Sequence, residues 1–218
     1  MQRNRVLGLF KFGKRDHIEE FVRDGHLFMN TLTYFRKLEA DLLRSDKHEG
    51  AAHCLQVNRG KLCVNRGEEW VDIATISHAQ MFTLDGSEDT TNVFCMYALR
   101  ESAADGLVDP RNFDFGDTFA VLTNAEEFLR RVHAVAAQNN VTLKQGLVEY
   151  VDRAKHNGPV GIFRKFADFA YQSEFRIAVV PGAKGPFSLT VGDLSDILIV
   201  GDLCNLSERI RIQPSDSV

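Results

Sequence analysis

Gln172, Glu174 and Arg176 occupy alternate positions near the C-terminal end of the sequence. Alternate residues of a β-strand point to the same side, so these polar side chains share one face of a predicted strand, while Phe175 and Ile177 share the other. An arginine beside a carboxyl group keeps that group ionised. Such a carboxylate can polarise a sugar hydroxyl or stabilise positive charge that develops during a reaction. A half-buried antiparallel strand with a solvated polar face shows the same alternation, so both interpretations stand.

Two other patterns are weaker. The segment 8–14 matches the spacing G-x-x-x-x-G-K of a phosphate-binding loop. That loop needs flexible backbone N–H groups and a serine or threonine for the metal ion, whereas this segment has a Leu-Phe-Lys-Phe interior and is followed by Arg15. The segment is therefore predicted to be a strand.

Metal binding is not expected. Structural zinc sites place their ligands in tight pairs, and adjacent residues on a strand point to opposite faces. The candidate ligands are scattered, and only two of them are neighbours: His48, His53, Cys54, Cys63 and His78. The four cysteines show no C-x-x-C pair and are predicted to be small buried apolar residues.

Strands outnumber helices in the hydrophobic pattern. A hairpin is predicted at Asn58-Arg59-Gly60, between apolar alternations at 55–57 and 62–64. The further predicted strands cover 6–12, 27–29, 70–76, 92–99, 119–122, 174–180, 197–200 and 209–212. These strands do not alternate regularly with helices. The pattern predicts an α+β protein with a mixed, largely antiparallel split sheet and a few flanking helices, as one domain over residues 1–218.

Capping signals mark the predicted helices. Asp16 with Glu19 and Asn124 with Glu127 have the spacing of a capping box. Gly25 can close the first helix in the left-handed conformation. A short helix carrying Tyr34, Phe35 and Leu38 is predicted with Thr31 or Thr33 as its cap, and a further helix is predicted over 143–154.

Charge and hydropathy narrow the class of function. The net charge is -4, so no global field attracts nucleic acid or a membrane surface. Residues 1–37 nevertheless carry eight Lys/Arg against four Asp/Glu, which would suit an anionic ligand bound near the N-terminal segment. No apolar run approaches the roughly 20 residues of a membrane span. A cytoplasmic protein without a membrane partner is expected.

Gln172-x-Glu174 resembles the Q/E-x-E signature of ADP-ribosyltransferases, in which the second acidic residue is catalytic. Residues 9–50 and 162–200 also resemble a large group of prokaryotic proteins. Members of that group open with an aromatic-basic strand and end with a Q/E-x-E-x-R strand, and they have been suggested to be distant relatives of the ADP-ribosyltransferase fold. The N-terminal features that carry this resemblance are the strand 9–12, a capped helix, Gly25, the strand 27–30, Tyr34-Phe35-Arg36 and Asp46-x-x-Glu49-Gly50.

The resemblance implies a use of NAD as substrate. Glu174 would stabilise the oxocarbenium-like ribose and hydrogen-bond its 2′-hydroxyl, Gln172 would position the acceptor, and Arg176 would hold the glutamate. The Ser-Thr-Ser motif of the family is absent, and Met96-Tyr97 or Asn30-Thr31 are its candidate substitutes. The remaining residues expected to bind NAD are Lys11, Arg36 and Arg15 at the pyrophosphate, Tyr34 or Phe35 on the nicotinamide, and Phe12 and Asn30 alongside them.

The leading expectation is an enzyme that transfers ADP-ribose from NAD to a macromolecule, as a bacterial toxin or phage-defence effector, with an antitoxin or regulatory partner. It requires Gln172, Glu174, Lys11 and an aromatic residue from 28–35 to line one cleft. One alternative is a non-catalytic module that binds a nucleotide or nucleic acid on its basic N-terminal face. Another is a metal-independent nuclease built from Lys11, Glu49, Glu174 and Arg176.

Overall fold

The computed structural model describes residues 5–37, 47–101 and 108–210. The helices are α1 (Arg15–Asp24), α2 (Leu32–Lys37), α3 (Ala125–Gln138) and α4 (Leu206–Arg209). The strands are β1 (Val6–Gly13), β2 (His26–Thr31), β3 (His53–Val57), β4 (Gly60–Asn65), β5 (Trp70–Ile76), β6 (Ala79–Thr83), β7 (Asn92–Arg100), β8 (Thr118–Leu122), β9 (Leu143–Leu147), β10 (Glu149–Val151), β11 (Gly158–Pro159), β12 (Arg164–Phe166), β13 (Glu174–Val179), β14 (Phe187–Thr190) and β15 (Leu198–Asp202). The predicted α+β class, with mostly antiparallel strands and few helices, is confirmed.

Strand β7 organises the main sheet, which has eight strands. It pairs with β13 along one edge, and with both β1 and β2 along the other. The pairing with β1 covers residues 97–100 of β7, whereas the pairing with β2 covers Asn92 and Val93. Among the described residues, no strand lies beside residues 94–96 on that edge, and the sheet is split there. Lys11 reaches into the split, where its ammonium donates a hydrogen bond of 2.8 Å to the carbonyl oxygen of Cys95.

One face of the main sheet carries the larger apolar core. Helix α1 buries Ile18 and Phe21 against it, and α3 buries Phe128 and Val132 at helical spacing. Gly25 ends α1 with φ +60°, and a Cβ at this position would lie 2.3 Å from a backbone oxygen, so only glycine fits.

The capping predictions have mixed outcomes. Asn124 accepts a hydrogen bond of 3.0 Å from the backbone N–H of Glu127, as predicted. Thr31 likewise caps α2, because its hydroxyl accepts from the N–H of Tyr34 at 3.1 Å. Asp16 does not cap α1: it lies in the first helical turn, where a negative charge still favours the helix dipole. The predicted helical residue Leu38 lies outside the described residues.

The opposite face of the main sheet has two parts. An aromatic cluster around Phe10, Phe12, Tyr97 and Phe119 covers one end. The other end lies beneath a second layer made of the three-stranded sheet β11-β3-β6 and the parallel pair β10-β12. This second layer positions the charged residues described below.

Two sequence predictions of local structure are wrong. The segment 143–154 forms β9 and β10 rather than a helix, because Leu143, Gln145 and Leu147 pair with the free edge of β13. Tertiary pairing there outweighs helix propensity, and Gly146 weakens that propensity further. The predicted hairpin at 58–60 is also absent, since β3 pairs with β6 and β4 pairs with β5. The hairpin turn lies at 66–69 instead.

The C-terminal prediction is corrected in part. Arg209 ends helix α4 rather than beginning a strand, and residues 211 and 212 lie outside the described part of the chain. No helix among the described residues is long and apolar enough to cross a membrane.

Candidate functional site

The site begins at the N-terminal end of β13. Glu174 and Arg176 lie opposite Tyr97 and Cys95 of β7, so their side chains point away from α1 and α3 and towards the second layer. Both residues are buried, with 6% and 1% of their surfaces exposed. The interpretation of this strand as one with a solvated polar face is therefore wrong.

Gln172 is not part of the strand. It is the last residue of a 3₁₀ helix over Ala167–Gln172, and Ser173 joins it to β13 with φ +39°. Two bonds hold this left-handed residue: its hydroxyl donates to the carbonyl of Ala98, and its own carbonyl accepts from the Ala98 N–H, each at 2.7 Å. The turn leaves Gln172 buried and beside Glu174.

Four charged side chains meet in what we call the buried charge cluster: Glu49, Lys165, Glu174 and Arg176. The Lys165 ammonium lies 2.7 Å from Glu174 Oε1 and 3.1 Å from Glu49 Oε2. Arg176 Nε donates to Glu174 Oε2 at 2.6 Å. Its Nη1 and Nη2 donate to the two oxygens of Glu49 at 2.8 and 3.2 Å. The cluster is thus a closed ring of two carboxylates and two cations.

The electrostatics keep all four groups charged. Burial by itself would raise the pKa of Glu174, but the charges of Arg176 and Lys165 outweigh burial and hold that pKa well below its usual range. The same balance lowers the pKa of Glu49. Burial works against the charge of Lys165, and the two carboxylates nevertheless raise its pKa. The cluster is consequently neutral as a whole.

Neutral groups complete the surroundings of the cluster. Gln172 Oε1 accepts a hydrogen bond of 2.8 Å from Lys165, so the amide and the Glu174 carboxylate converge on one ammonium group. The Tyr150 hydroxyl accepts from the Glu174 N–H at 2.8 Å. Arg176 also donates to the carbonyl of Ile162 at 2.6 Å. Burial raises the pKa of the Cys95 thiol, opposite Arg176, to about 12.

A tight turn positions Glu49 in the buried charge cluster. Gly50 has φ +70°, and a Cβ on it would lie 2.9 Å from the Cβ of Leu32, so this turn requires glycine. Arg36 of α2 stabilises the turn. Its guanidinium donates hydrogen bonds of 3.4 Å to the Glu49 carbonyl oxygen and to Glu88 Oε1. Asp46, which belongs to the same sequence pattern, lies outside the described residues.

Lys11 lies on the other face of the sheet. It alternates with Leu9, which belongs to the helix-covered core, and its ammonium sits 4.4 Å from the ring centroid of Phe94 in that same core. Strand β7 separates this face from the one that carries Glu174. The Lys11 side chain therefore leaves β1 on the face opposite to Glu174, and its ammonium is bonded within the split.

The remaining predicted NAD-binding residues are dispersed. Phe12 is buried in the aromatic cluster, with its ring centroid 5.7 Å from that of Tyr97. Asn30 lies opposite Val93, on the face that carries Glu174. Tyr34 is half exposed and packs its edge against Phe35, 5.5 Å between centroids. Phe35 itself packs against a small apolar cluster of Leu32, Val93 and Ala178, as Cys95 also does.

Lys165 is the functional candidate that the sequence interpretation missed. No role was predicted for it from the sequence. A usable signal existed, because a second cation nine residues before Glu174 can return to it across one turn. Glu49 entered only through the pattern Asp46-x-x-Glu49-Gly50 and the nuclease alternative, although it binds both cations.

A surface cleft of about 690 Å³ lies elsewhere, between α1, β15 and α4. Arg15, Arg23 and Arg209 line it together with acidic residues, and Arg15 pairs with Asp202 and Glu19. None of the cluster residues borders it. Of the residues predicted to bind NAD, Arg15 borders this cleft.

Metal ligands do not converge anywhere in residues 5–37, 47–101 and 108–210, where no three His, Cys, Asp or Glu side chains form a binding group. All four cysteines are free. Cys54 is buried as predicted, Cys63 and Cys95 are partly exposed, and Cys204 is exposed, so the expectation of buried cysteines is confirmed for Cys54 alone.

Comparison of the chain with protein-family models, with curated proteins and with solved structures returned no match.

Proposed function

We propose that this chain is an ADP-ribosyltransferase-like enzyme that transfers ADP-ribose from NAD to a macromolecular acceptor, with Glu174 as its catalytic glutamate. One observation carries the proposal: the Glu174 carboxylate is buried, ionised and held rigidly by Lys165 and Arg176, beside the Gln172 amide. Preorganised charge of this kind is what a reaction with a cationic transition state needs.

The chemistry follows from the charge of the carboxylate. The bond between ribose C1′ and the nicotinamide nitrogen breaks, and its electron pair leaves with nicotinamide. The oxocarbenium-like ribose is stabilised by the nearby anion. A nucleophile of the acceptor then bonds to C1′ and loses its proton. Gln172 positions that acceptor, and Arg176 keeps the carboxylate oriented.

A substrate can reach the Glu174 carboxylate only by displacing Lys165. Both oxygens of Glu174 are bonded to cations, and the three donors of the Lys165 ammonium are met by Gln172, Glu174 and Glu49. A ribose 2′-hydroxyl reaches Glu174 Oε1 by taking the place of Lys165 there. Lys165 then keeps its bonds to Gln172 and Glu49, so the cluster remains closed on its other side.

The fold supports this proposal in one respect. The main sheet is split along one edge of β7, and Asn30 lies beside the split on the face that carries Glu174. We propose an ADP-ribosyltransferase-like fold in which NAD binds beside the split, at the edge of that face, with Asn30, Tyr34 and Arg36 as its contacts. Lys11 and Phe12 are left out, because Lys11 faces the opposite side of the sheet and Phe12 is fixed in the aromatic cluster.

A nuclease built from Lys11, Glu49, Glu174 and Arg176 has weaker support. Three of these residues meet in the cluster, but Lys11 faces the opposite side of the sheet. Both carboxylates are also ionised and fully paired with cations, which leaves no free acid for the leaving group.

A non-catalytic nucleotide-binding module is the remaining alternative. The proposed setting for the transferase is the cytoplasm of a prokaryote, as a toxin or phage-defence effector with an antitoxin or regulatory partner.

Incubation of the protein with adenylate-labelled NAD and cell extract tests the proposal. The wild-type protein is expected to transfer label to an acceptor, and Glu174→Gln is expected to lose transfer by at least roughly a hundredfold. Glu149→Gln is the matched control, because Glu149 is an exposed glutamate that pairs with Arg164 on the neighbouring strand β12. Transfer by Glu174→Gln at the wild-type rate would contradict the proposal. NAD binding without turnover would favour the binding module.

A further inference from the structure

The hairpin formed by β4 and β5 stands apart from the rest of the described chain. Its two strands pair with each other and with no other strand among the described residues. None of the four buried apolar clusters contains a residue of the hairpin. An isolated two-stranded hairpin is at best marginally stable in water, so this one needs a covering surface.

One face of the hairpin is apolar and exposed to solvent. Val64 lies opposite Val71, and Leu62 lies opposite Ala74. A shift in register between Leu62 and Cys63 leaves one extra residue in β5, so these four side chains share one face despite the odd spacing of Val71 and Ala74. Leu62, Val64 and Val71 are 48%, 44% and 38% exposed. Trp70, on the other face opposite Asn65, is 69% exposed. A contiguous exposed apolar patch on a projecting element is typical of a protein–protein interface.

Charge is distributed unevenly along the hairpin. At its base Arg59 has no acidic partner in the described part of the chain, and Lys61 is neutralised by Asp72. At its tip lie Glu68 and Glu69 with Arg66, which leaves a net negative charge. Two copies of such a hairpin attract each other when the base of one meets the tip of the other. An arrangement with tips together would place like charges in contact.

We propose that the β4–β5 hairpin is a dimerisation arm, which packs its Leu62, Val64 and Val71 face against the same face of a second copy around a two-fold axis. This antiparallel arrangement buries the apolar face and pairs Arg59 of each copy with Glu69 of the other. A two-fold contact of this type is self-complementary. Leu55 and Met81 form a further exposed apolar cross-strand pair, in β3 and β6.

The hairpin spans residues 60–76. The arm lies outside the buried charge cluster, so this proposal does not depend on the proposed catalytic function.

Sedimentation velocity of the full chain tests the arm. The wild-type protein is expected to sediment as a dimer at about 10 µM. The Val71→Glu variant is expected to sediment as a monomer, because dimerisation would bury an unpaired carboxylate in the apolar interface. Ile199→Glu is the control, because Ile199 is a similarly exposed apolar residue on β15. A wild-type monomer at that concentration, or a Val71→Glu variant that still dimerises, would overturn the proposal.

A charge swap tests the antiparallel orientation. Glu69→Lys is expected to weaken the dimer by roughly tenfold or more, because it faces Arg59 of the other copy. Adding Arg59→Glu to the same chain is expected to restore the wild-type dissociation constant. Failure of the second substitution to restore it would contradict this arrangement of the arms.

Discussion

Arg176 Nη1 donates a hydrogen bond of 2.8 Å to Glu49 Oε1, although the two residues are 127 positions apart in the chain. The bond joins the main sheet to the turn that precedes β3. It lies in the same buried cluster as Glu174, the proposed catalytic residue. The cluster therefore has two roles: it holds the second layer on the sheet, and it holds one carboxylate ionised away from water.

Removal of Glu49 is expected to destabilise the protein strongly. Glu49→Ala leaves the buried Arg176 and Lys165 with too little negative charge, and breaking a buried ion pair in this way costs about 3–5 kcal/mol of the free energy of unfolding. Urea unfolding followed by circular dichroism measures the loss. Glu149→Ala removes an exposed ion pair and is expected to cost less than about 1 kcal/mol. Equal losses for the two variants would contradict the buried cluster.

The dependence of stability on pH follows from the lowered pKa values of Glu49 and Glu174. A carboxyl group whose pKa is lower in the folded than in the unfolded state stabilises the fold at pH values above its pKa in the unfolded state. That pKa is ordinarily 4.5 for a glutamate. That contribution is lost as the pH falls through the lower folded value. The free energy of unfolding, measured in urea from pH 7 to pH 2, is expected to fall steeply below about pH 5. A free energy that rises towards pH 3 would contradict the assigned charges.

The rate of alkylation should distinguish Cys95 from Cys204. Burial raises the pKa of Cys95 to about 12, so almost none of it is thiolate at pH 8. Cys204 is exposed. Alkylation with iodoacetamide at pH 8, followed by peptide mass spectrometry, is expected to label Cys204 rapidly and Cys95 much more slowly. Rapid labelling of Cys95 in the folded protein would contradict the raised pKa of this thiol.

Ser173 allows the strained turn beside Glu174 to be tested. Ser173→Ala removes the hydrogen bond to the Ala98 carbonyl and keeps the left-handed backbone, so it is expected to cost about 1–2 kcal/mol of stability. Ser173→Gly loses the same bond but relieves the strain, worth about 1 kcal/mol. The glycine variant should therefore unfold at a higher urea concentration than the alanine variant. The reverse order would contradict a strained φ at this residue.

Local patterns in the sequence predicted much of the fold. Strands β1, β5, β7, β8, β13 and β15 lie where alternating apolar residues indicated them, and α3 begins at the predicted cap. The errors arise where distant pairing decides the structure. Residues 143–154 become strands because the edge of β13 is free, and Gly60 begins β4 because its partner is β5 rather than β3. No local pattern records those partners.

The candidate site was predicted only in part, for a similar reason. Period-two spacing placed Glu174 and Arg176 on one face, and the structure agrees. Spacing could not show that this face is buried, nor that Glu49 and Lys165 reach it from the second layer. It also could not place Lys11 on the opposite face, since that depends on which side of β1 the helices cover.

The rate of nicotinamide release from NAD is the measurement that tests the proposed role of Glu174 most directly. The wild-type protein is expected to release nicotinamide, and Glu174→Gln, verified as folded by circular dichroism, is expected to do so at least roughly a hundredfold more slowly. Glu149→Gln is expected to match the wild type. Nicotinamide release by a folded Glu174→Gln variant at the wild-type rate would contradict Glu174 as the catalytic glutamate.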